Sequence, residues 1–550
     1  MINNIIFFSP ITELVISVYV FGWGLLVSNF FYNRNEIKKN LSEIAIFGFC
    51  LILPITQLVN FLFPISELFF YLSFLVSLLI IFKFRNLIKN KFLPWLFKLF
   101  LIFIILIPIK YVIKGNEDLY YHLPKIELLN NFKIIFGIAH FDYSLSFTNG
   151  WAHISSAFNF FNGAIKNLYL SSFVFFTLAV ISLFNYLKKT KLNNLKIFLL
   201  IIISFLLIKF YRIQEFGNDY QAIILLLFSQ FLIFQYYLRN RNDSYLINKI
   251  IFYSSFAIML RIYSLFIIPT LFILLLNKNQ IFKLVNKKLI FLIFVTFSLT
   301  ISTSFINSGC FFMPIKQTCL SKETISWSYT NKIDNLNLRL KSFNTSYFSY
   351  KKELKNPLSE EDWVKNLNWL PYHIKSERFL KPLSKTAIII VSLFLIFLIV
   401  FNKKKLNNKA LVKKDFLAIF LIFFSFLLWL FNTPLLRAGG YSYWPYLIVS
   451  IILLKFEFKE YLNIKKIKFF LIFLLSISIL LNLNRIIKEA NKYDNFSPFF
   501  FTKWGKFHHT KYQNKEILKN LINNNDDKID DTNLYYKIEK IKNYWILSEI

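Results

Sequence analysis

Apolar blocks about as long as a membrane is thick recur along the whole chain, and this feature constrains the fold most strongly. Each block runs for roughly 17–25 residues with few charges, which is the length that an α-helix needs to cross a hydrocarbon layer. Hydrophobic residues make up 56% of the 550 residues and charged residues only 17%, a balance outside that of soluble chains. The sequence predicts an all-α polytopic membrane protein with about twelve transmembrane helices. These are expected at 11–32, 43–63, 67–82, 92–113, 167–187, 196–212, 221–238, 289–306, 386–402, 416–431, 441–454 and 468–483.

The basic residues lie in short runs between the apolar blocks. A formal net charge of +34 would suit a nucleic-acid-binding protein, but this placement is typical of loops held on the cytoplasmic side of a membrane. The sequence therefore indicates membrane lipid as a partner and no nucleic acid. Runs such as 403–405 and 455–468 belong inside, and the less charged turns near 64–67, 214–220 and 432–440 belong outside.

One long apolar block, residues 250–276, breaks this alternation because basic loops flank both of its ends. Arg261 and Ser264 lie at its centre, and Pro269 lies beyond them. Irregular backbone at membrane depth is tolerated where protein or a watery cavity surrounds it. We therefore predict a re-entrant helix pair that enters and leaves on one side of the membrane.

The alternation of loops also predicts how the chain is organised. Long outside loops escape the charge rule, so their mixed charges do not contradict it. Within residues 307–385, Ser359 with Asp362 three residues later predicts a helix start. The predicted parts are N-terminal membrane helices (1–90), a membrane core (91–306) with a first outside loop (114–166), a small outside cap segment (307–385), C-terminal membrane helices (386–483) and an outside tail (484–550).

Two of the three cysteines, Cys310 and Cys319, share the cap segment with eight residues between them. A compartment outside the cytoplasm permits disulfides, so we predict that these two are linked. Two free thiols are the alternative. Cys50 lies in the second predicted span, where a buried and inert thiol is expected.

The most concentrated polar chemistry of the chain lies in the first outside loop, directly after a predicted span. Glu117 and Asp118 are adjacent carboxylates, and two tyrosines and His122 follow them. A carboxylate at the membrane surface could serve as a general base beside a lipid-borne substrate. The alternative is that the two carboxylates solvate or cap a helix that begins near Leu119.

Three further charged residues are candidates for the same site. Asp219 immediately precedes the seventh predicted span, where it could also be a helix cap. Arg437 is followed by Gly439 and Gly440, which let an anion approach the backbone closely; its guanidinium suits a phosphate, although it could instead anchor the chain at the interface. Arg261 lies where a charge costs about 2.5–3.5 kcal/mol on insertion scales. It would bind substrate or pair with a carboxylate.

Several stretches resemble the GT-C superfamily, whose members are integral membrane glycosyltransferases that take a sugar from a polyprenyl-phosphate carrier. The resemblance is to bacterial membrane proteins grouped with that superfamily, and it covers the chain from about residue 90 to about residue 455. The stretches that carry it are Asp118-Leu119-Tyr120-Tyr121-His122-Leu123-Pro124, Asn149-Gly150-Trp151, Ser308-Gly309-Cys310 with Pro314, and Arg437-Ala438-Gly439-Gly440-Tyr441.

The resemblance implies transfer of a sugar from polyprenyl phosphate to an acceptor on the outer side of a bacterial inner membrane. Asp118, with Glu117 beside it, would accept the proton of the acceptor hydroxyl as the sugar's anomeric carbon is attacked. Arg437 or Arg261 would stabilise the departing lipid phosphate, since preorganised charge at a developing anion is a large catalytic contribution.

His122 and Asp219 would complete the substrate site. A divalent metal ion held by Asp118 and Asp219 stays open, because the sequence has no closed ligand motif. Rival functions are a lipid-linked polysaccharide polymerase or ligase, which relies more on outside arginines, and a transporter or flippase of glycolipids, in which Arg261 would line the route. A catalytically inactive structural protein is the remaining alternative.

Overall fold

A computed structural model describes most of the chain, and helices dominate the part that it describes. Two short antiparallel strand pairs accompany them: Leu406–Asn408 with Phe456–Phe458, and Tyr536–Ile541 with Tyr544–Glu549. The predicted helical class is confirmed. The described residues are 2–106, 122–147, 149–160, 164–208, 219–239, 243–276, 284–353, 356–377, 379–380, 383–384, 406–408, 410–458, 464–490, 536–541 and 544–549.

Fourteen helices of the described chain are labelled here in chain order. They are α1 (Ile2–Val27), α2 (Leu41–Leu62), α3 (Glu67–Lys83), α4 (Arg85–Ile105), α5 (His122–Asn131), α6 (Gly150–Ser156), α7 (Ala164–Lys189), α8 (Asn193–Ile208), α9 (Asp219–Arg239), α10 (Ser244–Leu260), α11 (Lys287–Ser308), α12 (Lys413–Asn432), α13 (Tyr441–Lys455) and α14 (Ile464–Ala490). Short helical segments connect them: Ser28–Phe30, Arg34–Ile37, Ile138–His140, Tyr143–Ser146, Ile262–Ile267, Ile268–Leu271, Phe272–Leu276, Lys316–Thr318, Thr330–Lys332, Ile333–Asn344, Tyr347–Glu353, Glu360–Val364, Lys365–Leu367, Leu370–Lys375 and Leu436–Gly440.

Several of these helices are suited to a membrane. Among the described residues, six are long and apolar enough to cross one, or seven if the bent pair of α3 and α4 is a single span. Each of the six coincides with a block that the sequence predicts as a span. The six are Ser9–Phe30, Leu41–Leu62, Leu170–Lys189, Asp219–Arg239, Lys287–Ser308 and Lys413–Asn432.

The predicted count of about twelve spans is not supported. The block at 441–454 forms α13, whose 15 residues fall short of the ~20 that a spanning helix needs. Of the block at 196–212, the structure describes the part within α8, up to Ile208. The blocks at 67–82 and 92–113 meet as α3 and α4 at a bend of 112°. Apolar composition therefore predicted the helices better than it predicted membrane crossings.

Two further predicted spans and the predicted tail lie in the C-terminal part of the chain. The block at 386–402 lies outside the described residues, and that at 468–483 lies within α14. Of the tail, the structure describes the end of α14 and the strand pair near the C-terminus. That strand pair reaches the first predicted outside loop, because Ile546 forms a parallel bridge with Phe136.

Contacts between the loops separate two ends of the helix bundle. One end, called the Asp219 end, contains the beginning of α9 and the loops that the sequence assigns to the outside. Asn60, near the end of α2, donates a hydrogen bond of 3.0 Å to the carbonyl oxygen of Phe132. In the cap segment, His373 Nε2 lies 3.3 Å from the carbonyl oxygen of Pro434. The predicted outside segments therefore meet in one layer.

The other end, called the Glu43 end, contains loops that the sequence assigns to the inside. Glu43 and Asn60 lie at opposite ends of α2, about 25 Å apart at 1.5 Å per residue. At the Glu43 end, the Asn248 side chain donates to the carbonyl oxygen of Phe30 (3.1 Å) and accepts from the backbone N–H of Asn286 (3.0 Å). Which end faces the cytoplasm stays a prediction.

The apolar block at 250–276 is broken where the sequence predicts it. Helix α10 ends at Arg261, whose extended backbone (φ −148°, ψ 126°) stops the helix, and short helical segments follow from Ile262. Arg261 lies at the Asp219 end, while Asn248 before it and Asn286 after it are hydrogen-bonded to each other at the Glu43 end. The chain therefore reverses at Arg261, and both flanks lie at the same end.

A buried polar cluster, called the Glu43 cluster, joins α2, α7, α10 and the segment after α1. Tyr186 and Tyr253 each donate a hydrogen bond of 2.8 Å to Glu43 Oε1. Tyr32 donates to Oε2, and Lys249 Nζ lies 3.5 Å from the same oxygen. Buried charges are tolerated when they are paired and hydrogen-bonded, and this cluster satisfies both conditions.

Candidate functional site

The Asp219 end is organised around an ion pair between the two helices that meet there. Arg261 Nε lies 2.5 Å from Oδ1 of Asp219, the first residue of α9. The hydroxyl of Tyr263 donates to the backbone carbonyl of Asp219 at 3.0 Å. The side chains are 22% and 17% exposed, so the pair is neither sealed in the core nor fully solvated. Of the two alternatives for Arg261, pairing with a carboxylate is observed.

The turn that contains Arg437 packs against this ion pair. It spans Leu436–Gly440 and contacts both the beginning of α9 and the segment after Arg261. Gly439 has φ +93°, and a Cβ atom there would lie only 2.8 Å from the Tyr263 ring. Only glycine combines that backbone with such close contact. The turn that contains Arg437 therefore lies against Tyr263 through Gly439, while the position of the Arg437 side chain is outside what the structure describes.

His122 lies on the first outside loop and is connected to the same region. Asn149 caps α6 by accepting from the backbone N–H of Ala152 through Oδ1 (3.0 Å), so its amide nitrogen faces His122 Nδ1 at 2.9 Å. Gly150, the first residue of α6, packs so closely on α10 that a Cβ would lie 2.9 Å from Leu260 Cδ2. His122 is therefore tied, through α6, to the residue before Arg261.

A buried lysine and histidine lie in the same layer. Lys125 Nζ donates to the carbonyl oxygens of Leu145 (2.8 Å) and Phe147 (2.6 Å). Burial, with a smaller contribution from the charge of Arg261, lowers the pKa of Lys125 from its ordinary 10.5 to about 7. Burial, and then the charge of Lys125, lowers the pKa of His153 to about 3, so its imidazole is neutral at physiological pH.

Lys125 and His153 were not among the predicted site residues, although spacing held a signal for both. Lys125 follows His122 by three residues and therefore shares a face of α5 with it. His153 follows Asn149 by four residues at the beginning of α6. The missing information was burial, since a lysine in a predicted loop is ordinarily solvated.

The predicted residues fall into two groups. His122, Asp219, Arg261 and the turn of Arg437 lie together at the Asp219 end. Glu117 and Asp118, the predicted catalytic carboxylates, lie outside the described residues, and their role stays a prediction. Of the predicted site residues, the structure therefore brings together His122, Asp219 and Arg261, with the turn that contains Arg437.

The described residues do not supply a divalent metal site. Among them, no three His, Cys, Asp or Glu side chains are grouped so that they could hold a metal ion. The Asp219 carboxylate, the predicted metal ligand in this part of the chain, accepts from Arg261 instead.

In the structure, Cys310 and Cys319 form a disulfide. Cys310 is buried in a small cluster with Met313 and Ile333 of the cap segment, and Tyr143 of the first outside loop packs against it. The linked cysteines therefore lie where the cap segment meets the first outside loop. Cys50 is buried and unbridged in α2.

Most of the chain matches one known protein family. No curated protein and no solved structure matches it. A family model described as "Domain of unknown function (DUF8201)" matches residues 6–441 of the 550. The match includes both helices of the Asp219–Arg261 pair and the turn of Arg437. The chain therefore belongs to the DUF8201 family.

Proposed function

We propose that this protein is a membrane glycosyltransferase that moves a sugar from a polyprenyl-phosphate carrier to an acceptor on the outer side of a bacterial inner membrane. The proposal rests on the resemblance of the sequence to the GT-C superfamily. The observation that supports it best is the convergence of His122, the Asp219–Arg261 pair and the turn of Arg437 at one end of the bundle.

Chain connectivity adds support for Asp118 as part of the same site. His122 follows Asp118 by four positions, so their Cα atoms are at most roughly 15 Å apart at 3.8 Å per step. His122 is itself joined through Asn149 and α6 to the end of α10. Chain connectivity therefore allows Asp118 to belong to the polar layer where, in the proposed reaction, a lipid-borne substrate would meet its acceptor.

In the proposed reaction, Asp118 accepts the proton of the acceptor hydroxyl while that oxygen forms a bond to the anomeric carbon of the donor sugar. The bond between that carbon and the lipid phosphate oxygen breaks, and the phosphate leaves with the electron pair. A guanidinium stabilises this developing anion. Arg261 suits the role because Asp219 fixes it in place while 22% of its side chain stays exposed. Arg437 is the second candidate.

Replacing Asp118 by Asn tests the proposal most directly. The change keeps size and hydrogen-bonding capacity but removes the proton acceptor, so sugar transfer should fall by about 10²–10⁴. A helix cap would behave differently, because Asn caps about as well as Asp. Transfer is measured in membranes supplied with radiolabelled polyprenyl-phosphate sugar. Membrane insertion and folding are checked by fluorescence-detected size-exclusion chromatography.

Glu117→Gln is the matched control, with the adjacent carboxylate removed in the same way. Loss of transfer in Glu117→Gln alone would move the base by one residue, and full transfer in both variants would overturn the site. Polymerase or ligase activity would appear as elongation of a lipid-linked glycan that depends on Arg437 more than on Asp118. Movement of a glycolipid across the bilayer without transfer would identify a flippase.

A further inference from the structure

A narrow, half-open cavity of about 40 Å³ lies beside the candidate site, between α5, α6 and the ends of α2 and α11. Lys125 and His153 line it, together with the side chains of Asn60 and Asn307. The rest of the wall is mostly apolar and includes Leu128, Phe132 and Ile138. Binding sites for small molecules have this character, with apolar walls and a few polar groups that fix the orientation of the ligand.

Lys125 is a buried cation whose two described partners are neutral. Its Nζ donates to the carbonyl oxygens of Leu145 and Phe147. In the described part of the chain, the ion pairs are Lys249–Glu43, Arg261–Asp219 and Lys316–Asp334, and none of them includes Lys125. A buried charge without a counter-charge is costly, so a cavity beside such an ammonium group favours an anion.

His153 provides a second polar group on the same cavity. The residue is only 3% exposed, and its Nδ1 has no hydrogen-bond partner among the described residues. Buried polar atoms in folded proteins are almost always hydrogen-bonded, so an unsatisfied ring nitrogen indicates a missing partner. In the tautomer that carries its proton on Nδ1, the neutral imidazole can donate to an anion.

We propose that this cavity binds a compact organic anion whose carboxylate or phosphate group is held by Lys125 and His153 and whose apolar part lies against Leu128 and Phe132. The accessible volume of about 40 Å³ is far below the roughly 300–1,000 Å³ of drug-sized ligand pockets, so the cavity suits one small anionic head group with a thin alkyl chain that reaches its open side, and it excludes a polyprenyl chain or a glycan. The proposal is independent of sugar transfer.

Binding of defined probes to the purified full-length protein tests this proposal. Hexanoate and hexyl phosphate are compared with hexanol, which has the same chain without charge, and with inorganic phosphate, which has charge without a chain. We expect hexanoate or hexyl phosphate to raise the melting temperature in a saturable manner, because a ligand that binds only the native state stabilises it. The relative affinities of the two distinguish a carboxylate from a phosphate ligand.

Substitutions locate the site. Lys125→Met should weaken hexanoate binding at least tenfold, and Lys341→Met, at an exposed position in the cap segment, should leave it unchanged. If Lys125→Met does not fold, His153→Leu is measured in its place, with an expected loss of several fold. Equal binding of hexanol and hexanoate by the native protein would overturn the proposal. So would hexanoate binding that appears only in Asp118→Asn, since Asp118 would then be the counter-ion.

Discussion

Two ion pairs lie near opposite ends of α10, and they differ in how they are surrounded. Lys249 and Glu43 have side chains 7% and 2% exposed, and three tyrosine hydroxyls donate to the same carboxylate. Arg261 and Asp219 are 22% and 17% exposed and lie beside a glycine turn. The first pair is enclosed by its hydrogen-bond partners, and the second keeps a charged group partly accessible.

This difference distinguishes structural charge from candidate functional charge. A membrane-buried charge is functional by default unless its partners account for it. The partners of Glu43 come from three other parts of the chain, so the cluster is well explained as a device that holds those parts together. At the Asp219 end, a partly exposed ion pair, a nearby cavity and close backbone contacts occur together.

The largest expected effect is an all-or-none difference in labelling between the two ends. Lys341→Cys lies in the cap segment and Lys39→Cys at the Glu43 end, and both positions are exposed. The native cysteines give no background, because Cys50 is buried and the other two are linked. An impermeant thiol reagent added to intact cells should label Lys341→Cys and spare Lys39→Cys. The reverse pattern would invert the predicted topology and remove the outer site.

The next effect is on the free energy of unfolding. Glu43→Gln leaves Lys249 buried without a counter-charge, so we expect a loss of about 3–5 kcal/mol. Asp219→Asn is the matched change at the partly exposed pair and should cost about 1 kcal/mol or less. Unfolding in detergent with a denaturant titration measures both. Equal losses would show that the two pairs have the same structural role, contrary to the comparison.

The smallest effect, when it is measured over one pH unit, is a pH dependence of stability that arises from one residue. His153 has its pKa lowered to about 3 in the folded protein, so between pH 3 and 6.5 the unfolded chain binds the additional proton. Stability from this group is therefore complete above pH 6.5 and is lost as the pH falls, by at most about 1.4 kcal/mol per pH unit. The difference between native protein and His153→Gln should show this slope. A difference that is flat with pH would mean that His153 is solvated in the folded state.

Part of this architecture could be predicted from the sequence because it depends on residues that are close together in the chain. The positions of basic runs separated the two ends, and a charge beside small polar residues predicted the break at Arg261. The bend between α3 and α4 could not be predicted, since apolar composition contains no information about the angle between helices. Short apolar blocks such as that of α13 were counted as spans because hydropathy does not distinguish a buried short helix from a crossing one.

For the candidate site, too, the sequence identified residues but not the contacts between them. Asp219 and Arg261 were both candidates, but their pairing joins residues 42 positions apart and depends on the fold. Lys125 was not among the candidates, and only the folded chain brings the carbonyl oxygens of Leu145 and Phe147 to its ammonium group. Burial of a polar side chain is a property of tertiary structure, so residue type and spacing alone did not reveal it.

The Glu43 cluster also affects how the growing chain can assemble. Lys249 is 206 residues further along than Glu43, which at about 5–20 residues per second corresponds to roughly 10–40 s of synthesis. Of the partners of Glu43 in the folded chain, the hydroxyl groups of Tyr32 and Tyr186 are synthesised before Lys249. The ribosome thus delivers neutral donors before the ammonium group. The cluster can be completed only after α10 has been synthesised.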